Sequence, residues 1–402
     1  RARHAVAAAS RAAPRDRHSR AGMGKVPNYF KSAQKELLSL GGKLIDKMKD
    51  YDKDNIPAKV LAKLKKYIDD PGMTLEVVKK TSVAATSLCM WVHAMDIYAK
   101  VAKDVGPKKE RLEAMNKRLA QATADLARYV NAETRDVVLV ENCTAAATAT
   151  IRSARLRAGD VVIHLSTAYG MVKNALRHAA DAVGADVLSL PVEFRGGGSP
   201  PAGAGGAPLA ERLAELCDGV AASGRRVAMV TFDYIASCPG AIMPVREMAR
   251  VCKRRNVPTV LADAAHALGQ VRLDLRALEA AGVTHFMADA HKWLYSPKGS
   301  AMLWVTRDAQ DAVYPSVVGA VCSNSRTTNF DPAALANLSE FERRFQYTGT
   351  RDYTPLVAVA DALRWREKVG ESAIMGYNHG LAVWGQEFLA AAWNTETLVP
   401  AE

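Results

Sequence analysis

The chain has 402 residues, enough for two or three domains and a sizeable core. Hydrophobic residues make up 49% and charged residues 24%, an ordinary globular balance, and no uninterrupted apolar run reaches the roughly 18 residues of a membrane span. The net charge of +12 sits in the first third: residues 1–122 hold 26 Lys/Arg against 13 Asp/Glu, whereas residues 123–402 hold 28 against 29. The basic piece is suited to face a polyanion. Six scattered cysteines without a CxxC pair suggest neither a zinc site nor a disulfide framework, and they fit a reducing compartment such as the cytoplasm.

Residues 1–22 are Ala/Arg-rich with one acid, Asp16, and lack apolar periodicity, which predicts disorder. An Arg-rich, acid-poor start also resembles an organellar transit peptide. Residues 28–122 read as helices. Leu37, Leu38, Leu40, Leu44, Ile45 and Met48 recur at helical spacing. Pro57 opens a second helix carrying Val60, Leu61, Leu64 and Ile68, and Asp70-Pro71-Gly72 breaks it. Thr74 caps a third. A long helical segment from about Ser82 to Ala122 follows, with Leu88, Trp91, Val92, Met95, Tyr98, Val101 and Val105 expected along one apolar face. Its latter part, from Pro107, is charged and sparse in apolar positions, like one strand of a coiled coil.

From residue 123 strands and helices alternate. Predicted strands are Val137–Val140, Val161–Leu165, Val187–Leu190, Val227–Phe232, Thr259–Ala262, His285–Ala288 and Ala301–Val305. Their crossovers imply an α/β fold with a mainly parallel seven-stranded sheet covered by helices. The stretch 196–208, rich in Gly and Pro, reads as a flexible surface loop.

Two strand ends carry the chemistry. Asp263 sits at the end of one predicted strand, just past Ala262, where open α/β sheets place ligands, and Lys292 follows the next. An acid and a lysine so placed suit pyridoxal phosphate: the lysine takes the aldehyde as a Schiff base, and the acid keeps the pyridine nitrogen protonated. His266 and His291 are placed as donors to the ring oxygen and the phosphate. Singly, each residue has a plainer role, as a solvated lysine, a helix-capping acid or a satisfied polar group. Their order and spacing together are hard to attribute to chance.

The strings AHKW around Lys292, Pro297-Lys298-Gly299 beyond it, and ADAAHALGQ around Asp263 and His266 carry a resemblance. Residues 123–395 resemble the class V branch of fold-type I pyridoxal-phosphate enzymes, in the isopenicillin N epimerase-like and cysteine desulfhydrase-like group. The resemblance implies a large domain of that fold. It implies that Lys292 holds the cofactor, Asp263 pairs with its ring nitrogen and His266 contacts its ring oxygen. The turn Glu141-Asn142-Cys143-Thr144 opens a helix, and by resemblance the Cys143 backbone and Thr144 receive the phosphate; Asn142 or Thr144 also suits an ordinary N-cap. Tyr169 aligns with the aromatic that stacks on the ring. Thr350 aligns with the residue that reaches the partner subunit's phosphate, which implies a homodimer. Tyr234 stands where the family has His, and Asp289 stands where a small polar or amide residue is usual near the phosphate. A carboxylate there would repel phosphate unless it turned away or were protonated. The resemblance also puts the arginine for the substrate carboxylate, and any desulfurase-type cysteine, in a small-domain portion beyond Glu402. Cys322 is not in a matching context.

Residues 28–119 resemble the dynein heavy chain around its microtubule-binding tip and returning stalk helix, through the strings from Tyr51 to Met73 and from Ser87 to Leu112. That resemblance implies microtubule contact through residues 23–122, with Lys79, Lys80, Lys100, Lys103, Lys108 and Lys109 as basic candidates. The expectation is a three-part chain: residues 1–22, a helical segment 23–122 and an enzyme domain 123–402 acting on an amino acid. Lyase or desulfhydrase chemistry comes first, with epimerase or transaminase chemistry as the alternative. A dynein-like microtubule-binding fragment joined to a non-catalytic fold is the other reading. No metal, nucleic acid or membrane partner is expected.

Overall fold

The computed structural model describes residues 43–400 except 54, 198, 203–205 and 320–336, and leaves the side chains of residues 84, 104 and 109 undescribed. The expectations for residues 1–22 and for the first predicted helix before residue 43 lie outside the described residues, as do Cys322 and the Lys109 side chain. The chain divides into two compact units that meet between Ala114 and Met115.

The first unit is helical. It contains α1 (Lys43–Lys49), α2 (Ala58–Ile68), a 3-10 turn (Pro71–Met73), α3 (Leu75–Thr81) and the start of α4 (Val83–Tyr129). Local chemistry sets these bounds. Asp70 accepts the Gly72 N–H across the turn, and Thr74 caps α3 by accepting from the Val77 N–H. Along α4 the Met73 carbonyl is met by Cys89 Sγ at 3.2 Å and His93 Nε2 at 3.1 Å, and Trp91 meets the Tyr51 ring edge-on at 5.5 Å. The buried positions of this stretch are Cys89, Asp96 and Ala99. Leu88, Val101 and Val105, expected on the apolar face, are exposed instead. The buried stripe runs through Cys89, Asp96 and Ala99, with Trp91, Val92, Met95 and Tyr98 half-buried beside it.

The second unit has one seven-stranded sheet in the order β1-β7-β6-β5-β4-β2-β3. The strands are β1 (Val137–Val140), β2 (Val161–Leu165), β3 (Asp186–Leu190), β4 (Val227–Asp233), β5 (Thr259–Asp263), β6 (His285–Asp289) and β7 (Ala301–Val305). Strands β2 to β6 pair in parallel, and β7 runs antiparallel between β6 and β1. The helices are α5 (Cys143–Ser153), α6 (Gly170–Asp181), α7 (Leu209–Ala222), α8 (Val245–Arg254), α9 (Leu275–Ala281), α10 (Glu340–Gln346), α11 (Thr354–Val357), α12 (Val359–Val369) and α13 (Glu371–Trp393).

Alternation along the strands builds a core on each face. Ile163, Phe232, Val260, Phe286 and Trp304 join the last turns of α4 with α7, α8 and α9. Val162, Met229, Leu261, Met287 and Leu303 join α5, α6 and α10. Covering both faces explains why strands such as β2 and β5 are buried at every position. Among the described residues no helix is long and apolar enough to cross a membrane.

Candidate active site

Three aspartates end three adjacent strands. Asp233 closes β4, Asp263 closes β5 and Asp289 closes β6, and all three are buried. Asp233 and Asp263 stand side by side in register. Asp263 is level with Met287 on β6, so Asp289 lies two residues further along. A cavity of about 280 Å³ opens over these ends, at the lower edge of the roughly 300–1,000 Å³ usual for ligand sites. Asn142, Cys143, Thr144, Tyr169, Asp233, Asp263, His266, Asp289, His291 and Lys292 line it.

Lys292 is held from two sides. Its Nζ lies 3.0 Å from Asp289 Oδ2 and 3.2 Å from His266 Nε2. His266 Nδ1 accepts from Trp293 Nε1 at 3.4 Å. A neutral His266 that accepts there carries its proton on Nε2. Burial, then the Lys292 charge, hold His266 below the usual histidine range and so favour that neutral ring. His291 is fixed differently: its Nδ1 lies 2.8 Å from the Ser300 carbonyl, which can only accept, so Nδ1 carries a proton. Its Nε2 lies 3.7 Å from Asp289 Oδ1.

Asp263 accepts the Ala265 N–H at 3.1 Å. Burial first, and the neighbouring Asp233 charge next, push its carboxyl up to about 7. Burial also raises Asp233, partly offset by the Thr167 hydroxyl that donates to it at 2.6 Å. The Cys143 thiol is pushed well up by burial and by Asp263 and Asp289, which makes it an inert wall.

Helix α5 begins at the cavity. Asn142 is its N-cap, accepting the Ala145 N–H at 2.9 Å. The Cys143 N–H, expected to face a phosphate, donates instead to Asp289 Oδ1 at 2.8 Å. Asp289 therefore turns toward the start of α5.

The structure brings seven of the eight predicted site residues into this cavity: Lys292, Asp263, His266, His291, Cys143, Thr144 and Tyr169, the last 56% exposed at the start of α6. Thr350 is not among the lining residues; it is exposed, with its hydroxyl 3.0 Å from Tyr347 Oη. Tyr234 also stays out of the lining and packs against the sheet core. Sequence reasoning gave Asp233 no role. Its signal was available, as a third acid ending an apolar run. Arg366 was missed too. Fully buried, it donates to the carbonyls of Trp293 at 2.7 Å and Gly269 at 2.8 Å and pairs with Glu371. Nothing in the helical pattern of α12 marks it.

Residues 84–402 match the model of the aminotransferase class-V family. The putative L-cysteine desulfhydrase 1 of Oryza sativa subsp. japonica is 30% identical over 299 residues, which are 72% of this chain and 57% of that protein. The chain thus spans about three-fifths of the length of the curated relatives it matches. A solved C-DES mutant with glycine covalently linked to its PLP cofactor superposes with a TM-score of 0.55 at 18% identity, covering 84% of this chain and 73% of that one. That likeness is one of fold. Dynein axonemal heavy chain 6 of Homo sapiens is 45% identical over 92 residues, 23% of this chain and 2% of that protein.

Pyridoxal 5′-phosphate is the cofactor these matches support, and the donor set fits it. An amine, a buried carboxyl that a cationic ring nitrogen would recharge, an imidazole and a half-exposed phenol ring share one cavity. At the phosphate end, Asp289 is the one departure.

Proposed function

The chain belongs to the aminotransferase class-V family, and from that premise we propose that it acts on an amino acid as a lyase of the cysteine desulfhydrase type, with Lys292 as its cofactor lysine. The observation that carries this reading is the contact of Lys292 Nζ with His266 Nε2 at 3.2 Å, in one cavity with the buried Asp263 carboxyl. When bound, pyridoxal phosphate supplies an aldehyde for amines and a ring that accepts the electrons released at the substrate Cα.

The chain's own residues do the rest. Asp263 would hold the proton on the ring nitrogen of a bound cofactor, and that cationic partner would return its carboxyl to the charged form. The Lys292 Nζ would take the Cα proton and pass it to the departing sulfur, so that the Cα–H and Cβ–S bonds break, a Cα=Cβ bond forms and hydrogen sulfide leaves. His266 steadies that nitrogen from one side, and Tyr169 would stack on the cofactor ring. Thr350 serves the cavity of a second copy in a homodimer; its position outside its own chain's cavity supports this.

Borohydride reduction of the full chain with pyridoxal phosphate, followed by peptide mapping, tests the assignment. Label at Lys292 is the expected result, and label elsewhere, or unchanged label in Lys292→Ala, overturns it. Sulfide release from L-cysteine then separates lyase chemistry from epimerase and transaminase outcomes, in which sulfur stays in the product.

A second reading concerns residues 23–122. The 45% identity with a dynein heavy chain over 92 residues supports contact with the acidic microtubule surface through Lys79, Lys80, Lys100, Lys103 and Lys108.

A further inference from the structure

Asp289 departs from what a phosphate-binding turn needs. Its carboxylate is anchored at both oxygens: Oδ1 accepts the Cys143 N–H at 2.8 Å and Oδ2 lies 3.0 Å from Lys292 Nζ. The residue is 4% exposed and is fixed by its pairing with Ala301 on β7. The two-residue stagger past Asp263 brings it to the start of α5. That start is an attractive place for an anion, because the first amides of an 11-residue helix lack intrahelical acceptors and carry the positive end of its dipole. A carboxylate already fills it. One N–H cannot donate fully to two anions, and two anions sharing a buried donor repel strongly.

We propose that Asp289 is a resident anion that stands in for the cofactor's phosphate at the start of α5, so that the phosphate binds only by displacing the carboxylate from the Cys143 N–H. This inference rests on the pyridoxal-phosphate reading. It assigns the chain a weakened grip on the phosphate end alone, with the ring end intact. The acid that weakens the grip on the phosphate also caps the first amide of α5.

The test compares two aldehydes on the full chain, pyridoxal phosphate and pyridoxal, which lacks the phosphate. Affinities are read from the absorbance of the lysine-bound aldehyde for wild type and Asp289→Asn. Asparagine keeps an acceptor for the Cys143 N–H and removes the charge. The expected result is a Kd for pyridoxal phosphate lowered by about tenfold or more, with the Kd for pyridoxal changed by less than about twofold. An unchanged or raised Kd for pyridoxal phosphate overturns the inference. So does an equal gain for both aldehydes, because the effect would then run through the Lys292 ion pair. Asp289→Ser gives the same comparison if the asparagine variant does not melt cooperatively. Binding by wild type without the gain removes this inference only. Folded wild type and variant that both fail to take up pyridoxal phosphate remove the cofactor reading, and this inference with it.

Discussion

Arg366 donates from Nη1 to the carbonyl of Trp293 at 2.7 Å, one residue beyond Lys292. Its Nη2 reaches the Gly269 carbonyl at 2.8 Å, three residues beyond His266. One buried guanidinium therefore ties the two loops that carry the amine and the imidazole. Glu371 pairs with it, and Tyr129 Oη donates to Glu371 at 2.5 Å.

Arg366→Ala should destabilise the apo protein by about 3 kcal/mol, since two carbonyls lose their donors and each costs about 1–3 kcal/mol. Denaturant unfolding measures this. Arg366→Lys keeps the charge but not the fork, so it should bind pyridoxal phosphate more weakly than wild type even where it remains folded.

Gly269 lies at φ +88°, and a Cβ there would sit 2.4 Å from the Trp293 carbonyl oxygen. Gly269→Ala must push the two loops apart. A loss of more than about 2 kcal/mol is expected, together with loss of borohydride label at Lys292. A variant that melts like wild type and keeps the label contradicts this packing.

Asp263 gives a pH prediction. Its folded carboxyl is raised from the usual 3.8 to about 7, so the folded apo protein holds a proton that the unfolded chain releases. That contribution is full below about pH 4 and is lost as the pH rises through 7. Asp263→Asn removes the titration. The apo variant should gain on wild type as the pH rises from 4 to 8, by a difference on the order of 4 kcal/mol. Equal pH dependence of the two stabilities would contradict it.

For residues 23–122 the expectation is that the full chain pellets with microtubules at low ionic strength and is released by salt, because exposed charges are screened. Lys79→Ala with Lys80→Ala should weaken pelleting. Binding that is insensitive to salt would speak against a basic contact.

The sheet was legible because parallel strands covered on both faces read as continuous apolar runs. The strand ends were less so. β4, β5 and β6 each extend one residue past the predicted end, and that residue is an aspartate each time. A buried acid breaks the apolar pattern at the place where the site begins. The loop motifs around Asp263 and Lys292 found the cavity, since their spacing follows the strand ends. The direction of Asp289 was not legible, because it depends on the register between β5 and β6. Arg366 was not legible either: on a helix, a buried cation and a solvated one have the same periodicity. The apolar face expected along α4 failed at Leu88, Val101 and Val105, because the buried stripe runs through Cys89, Asp96 and Ala99 and apolar type alone does not fix the phase of a helix.

The stagger between Asp263 and Asp289 works as a ruler. Two residues along a strand span about 6.6 Å. β6 therefore carries its acid past the level at which β5 ends, out to the mouth of the neighbouring helix. How far a strand runs before it stops decides what its final acid meets. Stopping at the level of Asp263 leaves the acid beside Asp233; running on to Asp289 carries it to the Cys143 N–H.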